Sequence, residues 1–374
     1  MTTDRPTLPE TSPLPAATTE EALVLQQRLV AAVARQFPDG AAFRSDLGVP
    51  PGLGRPEATA RAERALADAF GSPAAALVQG AGTGAIRAVL SAGPWAGSER
   101  RLLVHQAPDY PTTASTFAEA GAVLVRADAN DPDGWAAAVG AVDAPGWVYL
   151  QHSRQQLTDR YDLGAAIAVA RRAGRRVIVD DNYAAVRTPR VGTQLGAAAS
   201  AFSLFKLHGP EGIAVVLGDE DLVDGIHRAT YSGGGQVQGH QALDALRALV
   251  MVPLNWAAQS RATAEVAERL AAGEVPGIVD ARLANAQDRC VIALLDQPVA
   301  RTVPEIAARF GAAPYPVGSN SRYEIAPLVY RMSSSSLRAR PDLAGWTIRI
   351  NPMRAGADLV VDILTRALDV ARAG

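Results

Sequence analysis

From about residue 56 to residue 230, short continuously apolar runs alternate with amphipathic stretches of helical period. Ala74–Val78, Leu102–Val104, Val123–Val125, Trp147–Leu150, Val177–Val179, Ala201–Phe205 and Ile213–Leu217 read as short strands buried on both faces. Ala58–Ala69, Pro111–Ala120, Gly134–Val139 and Leu163–Ala173 read as the helices between them. Such alternation predicts a three-layer α/β/α domain around a mostly parallel sheet. Gln236–Leu270 is largely helical in pattern, with a break expected at Pro253. It is expected to link the large domain to a smaller α+β domain built from residues 275–374. The expected organisation is a disordered lead-in and N-terminal arm over 1–55, a large domain over 56–245, and a linking helix with the small domain over 246–374. Ser333–Ser336 reads as a polar loop tip, and there is no internal repeat.

The chain has 374 residues, enough for one large core and a second, smaller one. Its hydrophobic share of 48% and net charge of −2 fit a globular protein in water, and no basic excess favours nucleic acid. Cys290 stands alone in an apolar run, which predicts a buried strand residue and excludes an intrachain disulfide. The five histidines show no metal-ligand spacing, so no metal is expected. Residues 1–18 are rich in Thr and Pro and lack the apolar core of a signal peptide, which predicts disorder and a cytoplasmic protein. No apolar stretch reaches the roughly 20 residues a membrane span needs.

One residue count changes the picture. Of 36 basic residues, 35 are arginine and one, Lys206, is lysine. A background that writes arginine wherever positive charge suffices leaves lysine where arginine cannot serve. Arginine stays protonated, whereas a desolvated lysine can lose its proton and form a Schiff base. Lys206 lies in Ser203-Leu204-Phe205-Lys206-Leu207-His208-Gly209, between an apolar run and a glycine turn.

Ligands of parallel sheets bind beyond the carboxyl ends of the strands, and the other candidates follow strands. Gly80-Ala81-Gly82-Thr83-Gly84-Ala85 opens a helix; its glycines let backbone approach an anion, with Gly82, Thr83 and Gly84 as the phosphate-binding candidates, though the run also fits a plain strand–helix turn. Asp180 ends an apolar strand, where a carboxylate can keep a pyridine nitrogen protonated, and Tyr183 follows at the third position. Asp180-Asp181-Asn182 also fits a capping turn. Ser203 precedes Lys206 by three, with a hydroxyl placed for a phosphate. Tyr110, in Gln106-Ala107-Pro108-Asp109-Tyr110-Pro111, can stack on a ring or supply a proton. Arg349, between apolar neighbours in Trp346–Asn351, can fork onto a substrate α-carboxylate.

The order of these segments resembles the fold-type I pyridoxal 5'-phosphate (PLP) enzymes, the aspartate-aminotransferase superfamily, from about Leu53 to the C-terminus. Asp180-x-x-Tyr183 and Ser203-x-x-Lys206 match the aminotransferase pattern for pyridine, phenolate, phosphate and Schiff-base contacts. The chain is similar over most of its length to the YhfS-like transaminases, through Ala75–Arg87, Phe202–Leu207 and Arg349-Ile350-Asn351-Pro352. There are departures. Ala214 stands where aminotransferases commonly place a phosphate-binding arginine. Gln151-His152-Ser153-Arg154-Gln155-Gln156 replaces their Asn-Pro-x-Asn-Pro-Thr-Gly stretch, with Gln155 in place of the asparagine that touches the phenolate oxygen. Pro50–Pro56 lacks the Tyr and Arg that cystathionine-lyase relatives send to the neighbouring subunit's phosphate, with Arg55 as a substitute.

The resemblance implies PLP, bound by Lys206, and a small α-amino-acid substrate. It implies an aminotransferase in the first instance, a β- or γ-eliminating or replacing lyase as the alternative, and a PLP-binding regulator as a remote third. It also implies a homodimer, with Ser232, Gly233 and Gly234 as a cross-subunit loop.

Overall fold

The computed structural model describes residues 5–38, 48, 52–95, 100–154, 156–231, 235–286, 288–316 and 320–373. The chain divides into two units. The larger comprises Ala17–His152 and Tyr161–Leu254; the smaller comprises the segment ending at Ala16, Ser153–Arg160, and the chain from Asn255 onward.

The large unit begins with α1 (Thr19–Gln36) and α2 (Glu57–Phe70). The alternation then runs β1 (Ala74–Gln79), α3 (Ala81–Ala92), β2 (Arg101–His105), α4 (Pro111–Glu119), β3 (Val123–Ala127), α5 (Pro132–Gly140), β4 (Trp147–Gln151), α6 (Leu163–Arg172), β5 (Arg176–Asp180), β6 (Ala199–Ser203), β7 (Ile213–Gly218) and α7 (Glu220–Ala229). The seven strands form one sheet in the order β1-β7-β6-β5-β4-β2-β3. From β3 to β6 all neighbours are parallel; β7 is antiparallel to both β6 and β1. Only residues 204–212 separate β6 from β7. That is too short for a crossover helix, so the chain returns antiparallel. Successive residues feed opposite faces: Val148, Leu150, Val177 and Val179 pack with Trp135 and Ile167, whereas Tyr149 and Ile178 pack with Ile86, Val89 and Phe117.

Strand β6 ends two residues earlier than the apolar run suggests. Phe205–Leu207 is a short 3₁₀ turn instead, closed by amides of Leu207 and Gly209 donating to the Leu204 carbonyl at 2.8 Å. Leu204 is fully buried, so its hydrophobicity serves a buried turn, which an apolar pattern cannot distinguish from a strand end.

Helix α8 (Gly239–Ala271) carries Pro253 inside it and crosses the division between the units. The break expected at Pro253 is absent from the helix. Leu249, Val252 and Trp256 are buried around it, and burial of that flank offsets the one lost backbone bond.

The small unit contains a four-stranded antiparallel sheet of β8 (Ile278–Ala286), β9 (Asp288–Leu295), β10 (Leu328–Arg331) and β11 (Thr347–Asn351), in the order β10-β11-β9-β8. Helices α9 (Val303–Ala308), α10 (Ser334–Ala339) and α11 (Ala357–Ala373) complete it. One face of the sheet packs Val291, Ala293, Leu295, Ile348 and Ile350 against α11. The other carries Cys290, Ile292 and Leu294; Cys290 is a buried strand residue, as its setting predicts.

Two expectations change here. Ser333–Ser336 is no loop tip: Ser333 caps α10 by accepting from the Ser336 amide, and both serines are buried. Residues 5–16, within the segment expected to be disordered, run along the small sheet. Leu8 is 6% exposed in a cluster with Leu157, Ile292, Met332 and Leu343. The carbonyls of Thr7, Pro9, Ser12 and Leu14 accept from Arg340, Arg282, Arg154 and Arg289. A Pro- and Thr-rich strap has no core of its own, but its fixed extended backbone offers carbonyls with few N–H groups to satisfy, and arginines supply the donors. Helix α1 then starts at a capping box between Thr18 and Glu21. No helix among the described residues is long and apolar enough to cross a membrane.

Candidate active site

Asp180 is the last residue of β5, at the carboxyl edge of the parallel strands, and is 5% exposed. Its carboxylate is held on both oxygens. Oδ1 accepts from the Asn182 amide at 2.9 Å and from Asn182 Nδ2 at 2.7 Å; Oδ2 accepts from the Tyr149 hydroxyl at 2.9 Å. Gln151 Nε2 lies 3.5 Å from Oδ2. Burial raises the Asp180 pKa above the usual carboxylate value, against the lowering effect of these donors and of Lys206. Burial, followed by the neighbouring Asp180 charge, also holds the Tyr149 phenol well above its ordinary value. Asp181 has different partners: it is fully buried, bonded to His152 Nδ1 at 2.6 Å and to the Gly192 amide at 2.9 Å.

Lys206 sits on the 3₁₀ turn just past β6. Burial, opposed by Asp180 and assisted by the positive charge of Arg187, lowers its amine from 10.5 to about 8. Its Nζ lies 4.9 Å from the centroid of the Tyr183 ring. Gly209 tightens the turn: a Cβ there would come 2.9 Å from Leu204 Cβ and 3.0 Å from its carbonyl oxygen.

The glycine turn is built to close tolerances. A Cβ on Gly84 would lie 2.1 Å from the Gln79 carbonyl oxygen, and one on Gly82 would lie 2.4 Å from Asn182 Oδ1. Asn182 Oδ1 in turn accepts from the Ser203 amide at 3.0 Å, so a single carboxamide joins Gly82, Asp180 and Ser203. Gly80, at the N-cap of α3, has no side chain to cap the helix; the Ala81 amide donates to the Gly212 carbonyl at 2.9 Å and the Gly84 amide to the Gly80 carbonyl at 2.8 Å, so the amides of Gly82 and Thr83 are the ones a ligand would use. Ser203 Oγ is buried and has no hydrogen-bond partner among the described residues. An orphaned hydroxyl, a helix start without a side-chain cap, a buried carboxylate and a depressed lysine fit a phosphorylated pyridine aldehyde. Thr83 Oγ1 donates to Thr112 Oγ1 at 3.1 Å, which ties the glycine turn to α4, whose N-cap is the half-buried Tyr110.

Gly82, Thr83, Gly84, Tyr110, Asp180, Tyr183, Ser203 and Lys206 thus all belong to the large unit. Arg349 belongs to the small unit. It is 7% exposed on β11, donates from Nε to the Arg331 carbonyl at 2.9 Å, and stacks 4.1 Å from the Tyr330 centroid. It lines a cleft of about 380 Å³ with Pro304, Tyr315 and Tyr330. Arg55, the stand-in for a cross-subunit phosphate arginine, has its Nε 2.6 Å from Glu63, and Arg154 Nη1 donates to the Ser12 carbonyl. Gln155, and the loop Ser232, Gly233 and Gly234, lie outside the described residues.

Tyr149, Gln151, Asn182 and Arg187 escape the sequence reading. The first two carry a signal in retrospect: polar side chains on alternate residues at the end of an otherwise apolar strand. Asn182 is masked by its fit to a turn. Arg187 is flanked by Ala184-Ala185-Val186, and an arginine in so apolar a setting signals a buried charge.

Residues 264–364 match the family model "YhfS-like, C-terminal domain", and residues 144–247 match "Aminotransferase class-V". The chain is 45% identical over 361 residues to the uncharacterised protein YhfS of Escherichia coli (strain K12), over 96% of this chain and 99% of that one. The crystal structure of the pyridoxal-5'-phosphate dependent protein YhfS from Escherichia coli matches with a TM-score of 0.93 at 44% identity, over 97% of this chain and 100% of that chain. A cystathionine gamma synthase from Xanthomonas oryzae pv. oryzae, solved in complex with cystathionine, shares the fold at a TM-score of 0.69 and 17% identity, over 96% and 99% of the two chains. The architecture, a large α/β unit and a smaller α+β unit, is that of the fold-type I PLP-dependent class. Within that class, the chain belongs to the YhfS family.

Proposed function

We propose that this protein is a PLP-dependent enzyme that acts on a small α-amino acid, with Lys206 as the covalent anchor of the cofactor. The observation that carries the reading is the only lysine of the chain, with its amine lowered to about 8, set in one site with the buried Asp180 carboxylate. When bound, the cofactor supplies an electron sink for charge developing at the substrate Cα. The protein's residues do the rest. Asp180, held flat by Asn182 and Tyr149, binds the pyridinium nitrogen. Ser203 Oγ and the turn Gly82-Thr83-Gly84 take the phosphate. Tyr110 covers a ring face, Tyr183 and Gln155 serve the phenolate oxygen, and Lys206 moves the Cα proton once freed. Arg349 takes the substrate carboxylate, its guanidinium oriented in advance by Tyr330 and the Arg331 carbonyl. The same reading includes a homodimer in which Ser232, Gly233 and Gly234 reach the neighbouring copy.

For the reaction we favour elimination or replacement at Cβ or Cγ over transamination. Three features support this: Ala214 in place of a phosphate-binding arginine, Tyr110 with Thr112 and Thr113 at the start of α4, and the shared fold of enzymes such as cystathionine gamma synthase. Transamination is the second reading, favoured by the class-V match over 144–247. Borohydride reduction of the holoprotein should leave a phosphopyridoxyl group on Lys206, and Lys206→Arg should abolish it. An adduct persisting on the Lys206→Arg chain would sink the assignment. A 2-oxo acid and ammonia released with no added 2-oxo acid would support elimination; a strict requirement for an added 2-oxo acid would replace it with transamination.

A further inference from the structure

The Lys206 amine shares its surroundings with a second cation. Arg187 is 7% exposed and follows Ala184, Ala185 and Val186, all buried. Its Nη2 donates to the Lys206 carbonyl at 2.9 Å, and its Nη1 to the Tyr183 carbonyl at 3.3 Å. Its Cζ lies 5.4 Å from the Tyr183 ring centroid, so this ring meets both the guanidinium and the Lys206 amine. The backbone on either side of these bonds is unusual. Tyr183 and Val186 have φ of +66° and +68°, and His208, which ends the Lys206 turn, has φ of +60°. Such a conformation is strained for a residue with a side chain and persists only where surrounding contacts impose it. Arg187 supplies contacts to both turns, and its own carbonyl accepts from the Ala17 amide at 2.9 Å.

Packing alone would not call for a buried guanidinium and an amine on the same aromatic ring. Two nearby cations repel, and the repulsion falls on the one able to give up its proton. We propose that Arg187 is a positioning residue for Lys206: it ties the turn that carries Lys206 to the strained turn that carries Tyr183 and holds the amine against the Tyr183 ring, ready to react. The proposal rests on the reading of Lys206 as the cofactor-bearing residue. Arg187's charge adds to burial in favouring the neutral amine.

The single lysine makes the test direct. Acetic anhydride labelling of cofactor-free, full-length protein, followed on the Lys206 peptide by mass spectrometry across a pH series, reads the protonation of this one side-chain amine. Wild type should give a midpoint of about 8. Arg187→Gln keeps a donor for one carbonyl and removes the charge, so the midpoint should rise toward the ordinary lysine value. Labelling at neutral pH then falls about threefold for each half unit of that rise. Arg187→Lys keeps the charge and loses the fork, so the midpoint should hold while the rate of PLP attachment at Lys206, followed by absorbance, drops several-fold. A folded Arg187→Gln protein with the wild-type midpoint would overturn the proposal. So would an Arg187→Lys protein that attaches PLP at the wild-type rate, which decides the matter if the Gln variant does not fold. If neither variant folds, Arg187 is purely structural and the proposal falls. Borohydride trapping on wild type separates the two readings: trapped cofactor with an unmoved midpoint defeats only this inference, whereas absent trapping defeats the cofactor reading.

Discussion

At Lys206, burial works against charge, and this gives the cofactor-free protein a pH-dependent stability. The unfolded chain keeps this proton to about pH 10.5, the folded chain only to about pH 8. Between these values the unfolded state binds more protons, so the contribution of Lys206 makes stability rise with pH across that window. Lys206→Met removes the cost. At pH 7 the cofactor-free variant should be more stable than wild type by roughly 3 kcal/mol, with the gap closing between pH 8 and 10.5 in urea titrations. A gap constant with pH would mean that packing, not charge, separates the two. The adjacent aspartates separate in a different way. Asp180 faces the site through bonds to Tyr149 and Asn182, whereas Asp181 is spent on His152 and the Gly192 amide. Asp180→Asn should lower turnover on the order of 100-fold, equivalent to about 2.7 kcal/mol, with little loss of thermal stability. Asp181→Asn should do the reverse, costing on the order of 3 kcal/mol of stability with a smaller effect on turnover. Paired kinetic and unfolding measurements check both halves; the opposite ranking would shift the pyridine contact to Asp181.

At the scale of elements, the glycine turn before α3 is fixed by what stands opposite it. Gly82→Ala would push a methyl into the Asn182 carboxamide, and that carboxamide also steadies Asp180 and the Ser203 amide. The variant should therefore lose PLP affinity by tenfold or so even if it folds, because about 1.4 kcal/mol of lost preorganisation is enough. Gly84→Ala meets backbone, not a side chain, and should instead lower the melting temperature. Cofactor titration beside thermal melts distinguishes them, and equal cofactor affinity in Gly82→Ala and wild type would refute the link through Asn182. The seven strands of the large unit and helices α2 to α6 were legible in the sequence because an apolar run marks the middle of each strand and an amphipathic stretch each helix, whereas α1 and α7 carried no expectation. Asp180 and Lys206 were legible because few residue types can do their chemistry. The reversal of β7 was implicit in a nine-residue connection, but an apolar run is the same in either strand direction. The roles of Tyr149, Asn182 and Arg187 depend on contacts across 31, 21 and 19 positions of sequence. No local pattern encodes such contacts.

At the scale of the whole molecule, the small unit is assembled from three separate stretches of chain, and its first stretch is the strap over residues 5–16. Leu8 seals the face of the sheet that holds Cys290, Ile292 and Leu294. Leu8→Ala should cost roughly 2–4 kcal/mol, and differential scanning calorimetry should show that loss in the transition of the small unit. No change in melting would mean that the strap is held by its arginines alone. The strap's bonds span the chain: Thr11 to Leu283, Leu14 to Asn285, and Arg340 to Thr7, across 272, 271 and 333 positions. On the ribosome, the strap emerges long before the strand it must meet. At roughly 5–20 residues per second, it waits tens of seconds while the entire large unit is made and can fold. Closing loops of that length is slow. Residues synthesised ahead of the large unit are thus among the last to find their place, and until they do, a hydrophobic sheet face lies open to chaperones and to other copies of the chain.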